Sequence, residues 1–481
     1  MNKPPLIDSS APGSECAAQR QALLELAEHL TGTVSVDPEV LDTHAVDMAP
    51  KAEHGDPLGL VRARTVEDVQ AVMKFAAARG IPVVPQGARS GLNGGANAVE
   101  GCILLSVSSM NRIVEIDATN HTVTVEPGIL NLDLKNALRE HGLDYPPDPG
   151  SVAISSIGGN IATNAGGLCC VKYGVTRDYV RELKVVLPDG SLTRLGQKTA
   201  KGVAGLDLCH LFIGSEGTLG VIVEATLKVV PRPAEPATAV ATFPTEQAAA
   251  KTVSSVMAAG VNPSLLEFMD SATLKLLNDF GDFGLDPASG SMLIMQSDAP
   301  TRASDVEEFA QIARAQGAVD VAFSDDPADT EALIATRRCV QPANEKYVRS
   351  HGGGQLIEDI CVPRSALAEF FDGLDRVRAE TGVMIAVVAH AGDGNTHPSI
   401  FYDAGDRESV AAAEEAFGRI VALGLELGGT IAGEHGIGSV KSRWLLQELD
   451  EPNQALHRSI KRAIDPQGIV NPGKMLAGME N

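Results

Sequence analysis

Basic residues are scarce in this chain of 481. Lys and Arg number 39 against 62 Asp and Glu, giving a formal charge of −23. Such a field repels phosphate backbones and anionic lipid alike, so nucleic acid is not an expected partner. Cysteine is sparse: the seven include the adjacent pair Cys169 and Cys170 but no C-x-x-C spacing, which excludes a disulfide scaffold and a structural zinc knuckle. No stretch approaches the roughly 20 apolar residues that a spanning helix needs. The opening MNKPPLIDSSAPGSEC has no apolar core of a secretory signal. The expected location is therefore cytoplasmic, with any membrane contact peripheral, at the inner face. A Walker lysine, a strand-GxGxxG-helix fingerprint, an iron–sulfur cysteine run and a haem motif are all missing, as are repeats of 20 to 50 residues.

At roughly 150 residues per domain the length suits two or three domains. The first 15 or so residues read as a flexible tail, and Leu23, Leu24, Leu26 and Leu30 give Ala17 to Leu30 a helical period. From Gly59 a βα unit follows: GLVRA as strand, Thr65 as N-cap with Asp68 three residues on, a helix to Arg79, then IPVVP as strand. CILLSV, IVEID, TVTVEPG and TLGVIVEATLKVVP read as further strands, and RELKVVLPDGSLTRL as a hairpin turning at Asp189-Gly190. Three prolines in Pro231 to Thr238 predict a linker. Beyond it, helices over Glu246 to Ala259, Thr301 to Gln316, Arg364 to Glu380 and Val410 to Leu427 alternate with strands near Leu293, Val319, Leu356 and Met384, the pattern of an antiparallel sheet covered by helices. The fold class is α+β. The expected divisions are 1–55, 56–232, 233–428 and 429–481.

The loop from Pro85 to Gly95, PQGARSGLNGG, follows a strand and holds four glycines in eleven residues. Such a loop can make an anion-binding nest of backbone amides, though an ordinary surface turn explains it equally well. Two further runs shift the balance: PPDPGS leading into SSIGGNIATNAGG, and GSEGTLG. In that order and spacing, the motifs resemble the FAD-binding domain of the vanillyl-alcohol-oxidase type of flavoenzyme. The resemblance implies that the first loop (Pro85, Gly87, Ala88, Arg89, Ser90, Gly91, Leu92 and Gly94) wraps the FAD pyrophosphate. Asp148, Pro149, Ser151, Ser156, Gly158, Gly159, Ala162, Thr163 and Asn164 would run along the flavin and ribityl chain, with Gly217, Gly220 and Ile222 nearby. Arg89 departs from the Gly or Asn common at its position. The first loop has no histidine where covalent members attach the flavin, which implies a noncovalent FAD.

The last third carries HAGDGNTH, with His390 and His397, and 37 residues after His397 comes Glu434 in GEHGIG, followed by His435. Two imidazoles and a carboxylate suit a borderline divalent ion, Zn²⁺ or Mn²⁺, with positions open for substrate. Hydrogen-bonded core histidines are the plainer alternative. With the closing IDPQGIVNPGKM, these motifs resemble the FAD-linked D-2-hydroxyacid dehydrogenases, which include D-lactate dehydrogenase and the glycolate oxidase D subunit. The resemblance spans nearly the whole chain. It implies His390, His397 and Glu434 as metal ligands, His435 as base, Asn395 as substrate-facing, and Asn471 as part of a C-terminal segment that completes the site and returns to the FAD domain. It also implies an arginine for the substrate carboxylate, here Arg337 in preference to Arg338.

The implied reaction takes the C2 hydrogen of a small D-2-hydroxy acid to flavin N5 as hydride, with the metal on the hydroxyl oxygen and His435 taking its proton. HPSIFYD favours D-lactate or glycolate over D-2-hydroxyglutarate. Electrons must then leave to an external acceptor: a quinone, an electron-transferring flavoprotein, a cytochrome or an iron–sulfur subunit. A homodimer is left open. The rival readings are a metal-dependent hydrolase without flavin and a nonredox nucleotide-binding module.

Overall fold

The computed structural model describes residues 12–49, 52–286 and 288–479. The first helix runs Pro12–Ala27, starting earlier than the leucine spacing alone suggests. A proline is tolerated in the first helical turn because the N–H it lacks has no intrahelical partner there. The rest of the expected flexible tail lies outside the described residues.

Two sheets make the front of the molecule. In the first, the strands Thr33–Ser35, Gly59–Arg62, Ile103–Ser106 and Val83–Gln86 lie in that spatial order, the last three parallel. Its crossover helix Val66–Ala77 starts from the expected Thr65 and Asp68, which form a reciprocal capping box. In the second, Ile113–Asp117, Thr122–Val125, Val221–Lys228, Val180–Val186 and Leu192–Gly196 form an antiparallel sheet.

The proline-rich linker is shorter than its composition predicts. Val230–Pro231 pairs with Leu143–Asp144, and Thr238 is already buried in the strand Ala237–Phe243. Proline is compatible with a two-stranded edge, where one N–H is not needed.

The rear sheet has eight antiparallel strands. Spatially they run Asp320–Ser324, Ala237–Phe243, Ser291–Ser297, Leu265–Asp270, Ile385–His390, Asn395–Asp403 and Gly353–Ile357, with Ile360–Cys361 also pairing with Asn395–Asp403. The expected helices cover one face as Glu246–Ala258, Arg302–Ala315, Leu367–Thr381 and Arg407–Glu426, and Phe268 stacks on Phe371 with ring centroids 4.6 Å apart. The other face is covered by Ser271–Phe280, Pro327–Arg338 and Val340–His351, helices the composition does not announce. The period of two along each strand puts Leu265 and Met269, Ala386 and Val388, and Phe401 on this second face. Glu267, His390 and His397 share their parity, and therefore their side. No helix among the described residues is long and apolar enough to cross a membrane.

Candidate active site

The histidines meet because of strand register. Glu267 lies directly opposite His390, His390 opposite Asn395, and Val388 opposite His397. The turn between the two histidine strands bends at Gly394 (φ 89°), and its Asp393 accepts the Asn395 N–H at 3.2 Å. The GEHGIG loop then closes over the end of the sheet. Glu434 Oε1 lies 3.2 Å from both His390 Nε2 and His397 Nε2, and 3.7 Å from His435 Nε2. His397 and His435 stack with centroids 4.8 Å apart.

Carboxylates hold this cluster from behind. Glu267, fully buried, accepts from His390 Nδ1 at 2.7 Å and pairs with Arg337 Nε at 2.9 Å. Asp359, equally buried, accepts the backbone N–H groups of Glu434 and His435 at 2.9 and 2.7 Å. Arg337 is buried and reaches the cluster, whereas its neighbour Arg338 is exposed. Apart from the pairing of Arg337 Nε with Glu267, the guanidinium has no acceptor among the described residues.

The charges are displaced accordingly. Burial works against the charged form of Glu434, but His390 and His397 hold its carboxyl well below the usual range. Burial likewise opposes a charged His390, and Glu267 and Glu434 raise it well above that of a free imidazole. His435 moves the other way: burial lowers it, Asp359 partly opposing and His397 adding to the effect. It is therefore a neutral imidazole near pH 7.

The donor set fits a divalent ion. The nearest ligand atoms of His390, His397 and Glu434 lie within 4.8 Å of one another, and Glu434 Oε2 is buried with no hydrogen-bond partner. Because Nδ1 of His390 is engaged by Glu267, its Nε2 faces the carboxylate. Three carboxylates around imidazoles favour positive charge at their centre, which an ion supplies as well as a proton does.

The glycine runs also converge. The ideal Cβ position at Gly87 is 2.4 Å from Ser156 Oγ, which accepts the N–H of Ala88 at 3.2 Å and of Gly159 at 3.4 Å. Gly158 packs on Pro127, and Gly217 on Pro85. The Glu216 N–H donates to the carbonyl of Ala162, and Thr163 back-bonds to Gly159. Asn164 ends its helix at φ 54° and accepts the Arg177 N–H. Asp148 accepts the Cys169 N–H, while Pro149 and Ser151 form the turn that leads back into Ser155. Arg89 sits at φ 58°, the left-handed region, which is the reason Gly or Asn suits this position; its guanidinium donates to the carbonyls of Thr43 and Val46.

The N–H groups of Arg89, Ser90, Gly91 and Leu92 meet no acceptor among the described residues. Adjacent free amides with Gly94 (φ 72°) behind them fit a pyrophosphate. Gly220 and Ile222 have a different situation. The Cβ that Gly220 lacks would fall 2.8 Å from Val185, and Ile222 pairs with Val185 across the sheet, so both serve strand packing.

Front and rear are joined at the site itself. Glu216 takes the N–H groups of Ile437 and Gly438 at 2.5 and 2.7 Å, and Asn93 Nδ2 donates to the Gly436 carbonyl. The ideal Cβ at Gly166 lies 2.6 Å from Glu434 Oε2, so the AGG run must be glycine there to admit the carboxylate. Asn471 donates to the carbonyls of Gly95 and Glu216, and its N–H to Val83, which returns the C-terminal segment to the front sheets.

Sequence reasoning missed Glu267, Asp359, Glu216 and Asn93 as supports. Glu216 and Asn93 stood inside the motifs already noted. Glu267 in LLEFMD and Asp359 in LIEDICV are charges within apolar strand sequence, a signal of burial with a partner.

Comparison with known proteins agrees with this architecture. Residues 57–196 match the FAD binding domain, and residues 232–475 match the C-terminal domain of FAD linked oxidases. Glycolate oxidase subunit GlcD of Bacillus subtilis is 40% identical over 423 residues, 88% of this chain and 89% of that one. D-lactate dehydrogenase of Anaerostipes hadrus is 35% identical over 433 residues, 87% and 89% of the two chains. Among solved structures, p-cresol methylhydroxylase with substrate bound superposes with a TM-score of 0.78 at 18% identity, covering 99% of both chains. 4-Ethylphenol oxidase from Gulosibacter chungangensis does so at 0.77 and 18%, covering 98% of each. The fold is thus that of the vanillyl-alcohol-oxidase-like flavoproteins, and the chain, carrying both domains, belongs to the FAD-linked oxidases and is an FAD-dependent oxidoreductase.

Proposed function

We propose that the protein oxidises a small D-2-hydroxy acid, D-lactate or glycolate in preference to D-2-hydroxyglutarate, to the 2-oxo acid. The observation that carries this is the direct contact between the two halves: the loop bearing Glu434 and His435 is hydrogen-bonded to Glu216 and Asn93, which sit among the glycine runs. A substrate between them would face both. The names of the most similar relatives point the same way.

In this reading the free Nη groups of Arg337 bind the substrate carboxylate as a fork. His435, neutral at working pH, takes the hydroxyl proton on its Nε2. Asn395 lies opposite His390 and orients the substrate. His390, His397 and Glu434 would hold Zn²⁺ or Mn²⁺. Pro85 to Gly94, the Asp148 to Asn164 segments and Gly217 would hold a noncovalent FAD, with Gly220 and Ile222 supporting from the strand. When bound, FAD supplies a two-electron acceptor for the C2 hydrogen and the ion polarises the hydroxyl. Divisions near 56, 233 and 429 separate the FAD-binding part, the cap and the closing segment.

Electrons then pass to an external acceptor, a quinone, an electron-transferring flavoprotein, a cytochrome or an iron–sulfur subunit. The acidic chain favours a basic docking face on that acceptor, and a membrane-held acceptor such as a quinone would bring the protein to the inner membrane face as a peripheral partner.

The test is anaerobic. Purified protein with a flavin visible band that bleaches on D-lactate or glycolate supports the reading. Yellow protein that leaves both unreacted while oxidising D-2-hydroxyglutarate overturns the substrate, and colourless protein with metal-dependent ester hydrolysis overturns the whole.

A further inference from the structure

We propose that Glu267 is a positioning residue that sets the metal histidine and the carboxylate-binding arginine together, so that one buried side chain fixes the spacing between the two groups holding opposite ends of a 2-hydroxy acid. This rests on the roles given above to His390 and Arg337. Glu267 is fully buried in the strand Leu265–Asp270, directly opposite His390. It divides its two oxygens: Oε1 accepts from His390 Nδ1 at 2.7 Å, and Oε2 faces Arg337 Nε at 2.9 Å. Its side chain makes no other hydrogen bond or ion pair among the described residues.

Each contact orients what lies beyond it. A proton held on Nδ1 leaves the Nε2 lone pair of His390 directed at Glu434, the arrangement a metal ligand needs. Anchoring Arg337 through Nε leaves Nη1 and Nη2 for a planar carboxylate. In a 2-hydroxy acid the carboxylate and the hydroxyl-bearing carbon are directly bonded, so the groups that bind them have little freedom in separation. A rigid strand residue touching both supplies that constraint, where two independent supports would let them drift.

Glu267→Gln tests it. An amide has one acceptor atom, and the Arg337 cation draws it, so the NH₂ turns toward the His390 Nδ1–H and that hydrogen bond is lost. Zn²⁺ affinity of the purified full chain, measured by competition with a chromogenic chelator, should fall about 10- to 100-fold. KM for D-lactate should rise about tenfold as the weakened ion loosens its hold on the hydroxyl, with flavin content unchanged. In Glu267→Gln with Arg337→Met the amide oxygen can turn to His390 with no cation behind it. Zn²⁺ affinity should then return to within about threefold of wild type while KM stays high.

The double variant removes both charges of the buried Glu267–Arg337 pair together and strands neither. It therefore serves alone should the single variant lose its flavin, and loss of Zn²⁺ from it overturns the proposal. Wild-type Zn²⁺ affinity and KM in Glu267→Gln also overturn it, leaving the functional reading intact. A wild-type protein that neither binds Zn²⁺ nor oxidises D-lactate overturns the reading and the proposal with it.

Discussion

Glu216 joins the glycine-rich loops of the front to the loop carrying His435 through a buried carboxyl group. Burial raises its carboxyl from 4.5 to about 7, against the pull of the Ile437 and Gly438 N–H groups. In the unfolded chain the same carboxyl ionises near 4.5, so between 4.5 and about 7 the folded state holds a proton that the unfolded state has released. Stability therefore declines as pH rises through that window, and above about 7 the ionised group costs the fold about 3 kcal/mol. Gln is close to isosteric with the protonated acid and cannot ionise. Glu216→Gln should lack the wild-type decline, so that from pH 5 to pH 8 the difference in melting temperature moves in the variant's favour by about 2–5 °C. Its turnover should fall, because only the carboxylate can accept both N–H groups and hold His435 in place. The assay is thermal melting of both proteins across pH 5 to 8.5. Parallel curves over the whole range would refute the argument.

Four further substitutions probe other parts of the molecule. His435→Asn should cut steady-state turnover on D-lactate with an artificial acceptor by about 10²- to 10⁴-fold while the flavin band remains, since a positioned base contributes about that much; a change of only a few-fold removes His435 from the chemistry. Lys441→Met leaves Glu358 without its partner at 2.6 Å, both side chains being fully buried, and should cost about 3–5 kcal/mol in denaturant unfolding, most of it recovered by adding Glu358→Gln. Gly158→Ala places a Cβ 2.6 Å from the Pro127 Cβ and 2.9 Å from its carbonyl oxygen, so stability should drop by about 1–3 kcal/mol and flavin content with it. Gly142→Ala, at φ 67° with nothing within 4 Å, should lower stability by only about 1 kcal/mol and leave flavin content unchanged.

Much of the architecture was readable from local chemistry. Thr65 with Asp68 starts a helix wherever they stand, because the capping box closes within four residues. The Asp189-Gly190 hairpin is legible for the same reason, with Gly190 at φ 81°. The helices on the second face of the rear sheet were not legible. Ser271–Phe280 follows its strand without a loop, Asp270 being both the last strand residue and the N-cap. Pro327–Arg338 and Val340–His351 meet around Cys339, so no breaker separates them. The linker was overextended because proline composition cannot tell an edge strand from a loop.

The site divides along a different line. The two motif histidines and Glu434 lie beside or within glycine turns, and those glycines are visible: Gly394 allows the turn between the two histidine strands, Gly433 packs against Asn395, and Gly166 leaves room for Glu434. Groups that support them come from remote segments, Glu267 from a strand and the adjacent Glu358 and Asp359 from the break between two strands. Glu267 precedes His390 by 123 residues and Asp359 precedes His435 by 76; strand pairing joins the first two, and the closing of the GEHGIG loop over the sheet joins the second. A carboxylate placed within an apolar strand has no reason of its own to be there, since burial raises its energy without a partner. Its presence is thus a statement that a cationic or N–H-bearing group faces it in the fold. On that argument Glu267 and the adjacent Glu358 and Asp359, set in apolar sequence, mark the histidine-bearing end of the sheet, with Arg337, Lys441 and the histidines as the partners their burial demands.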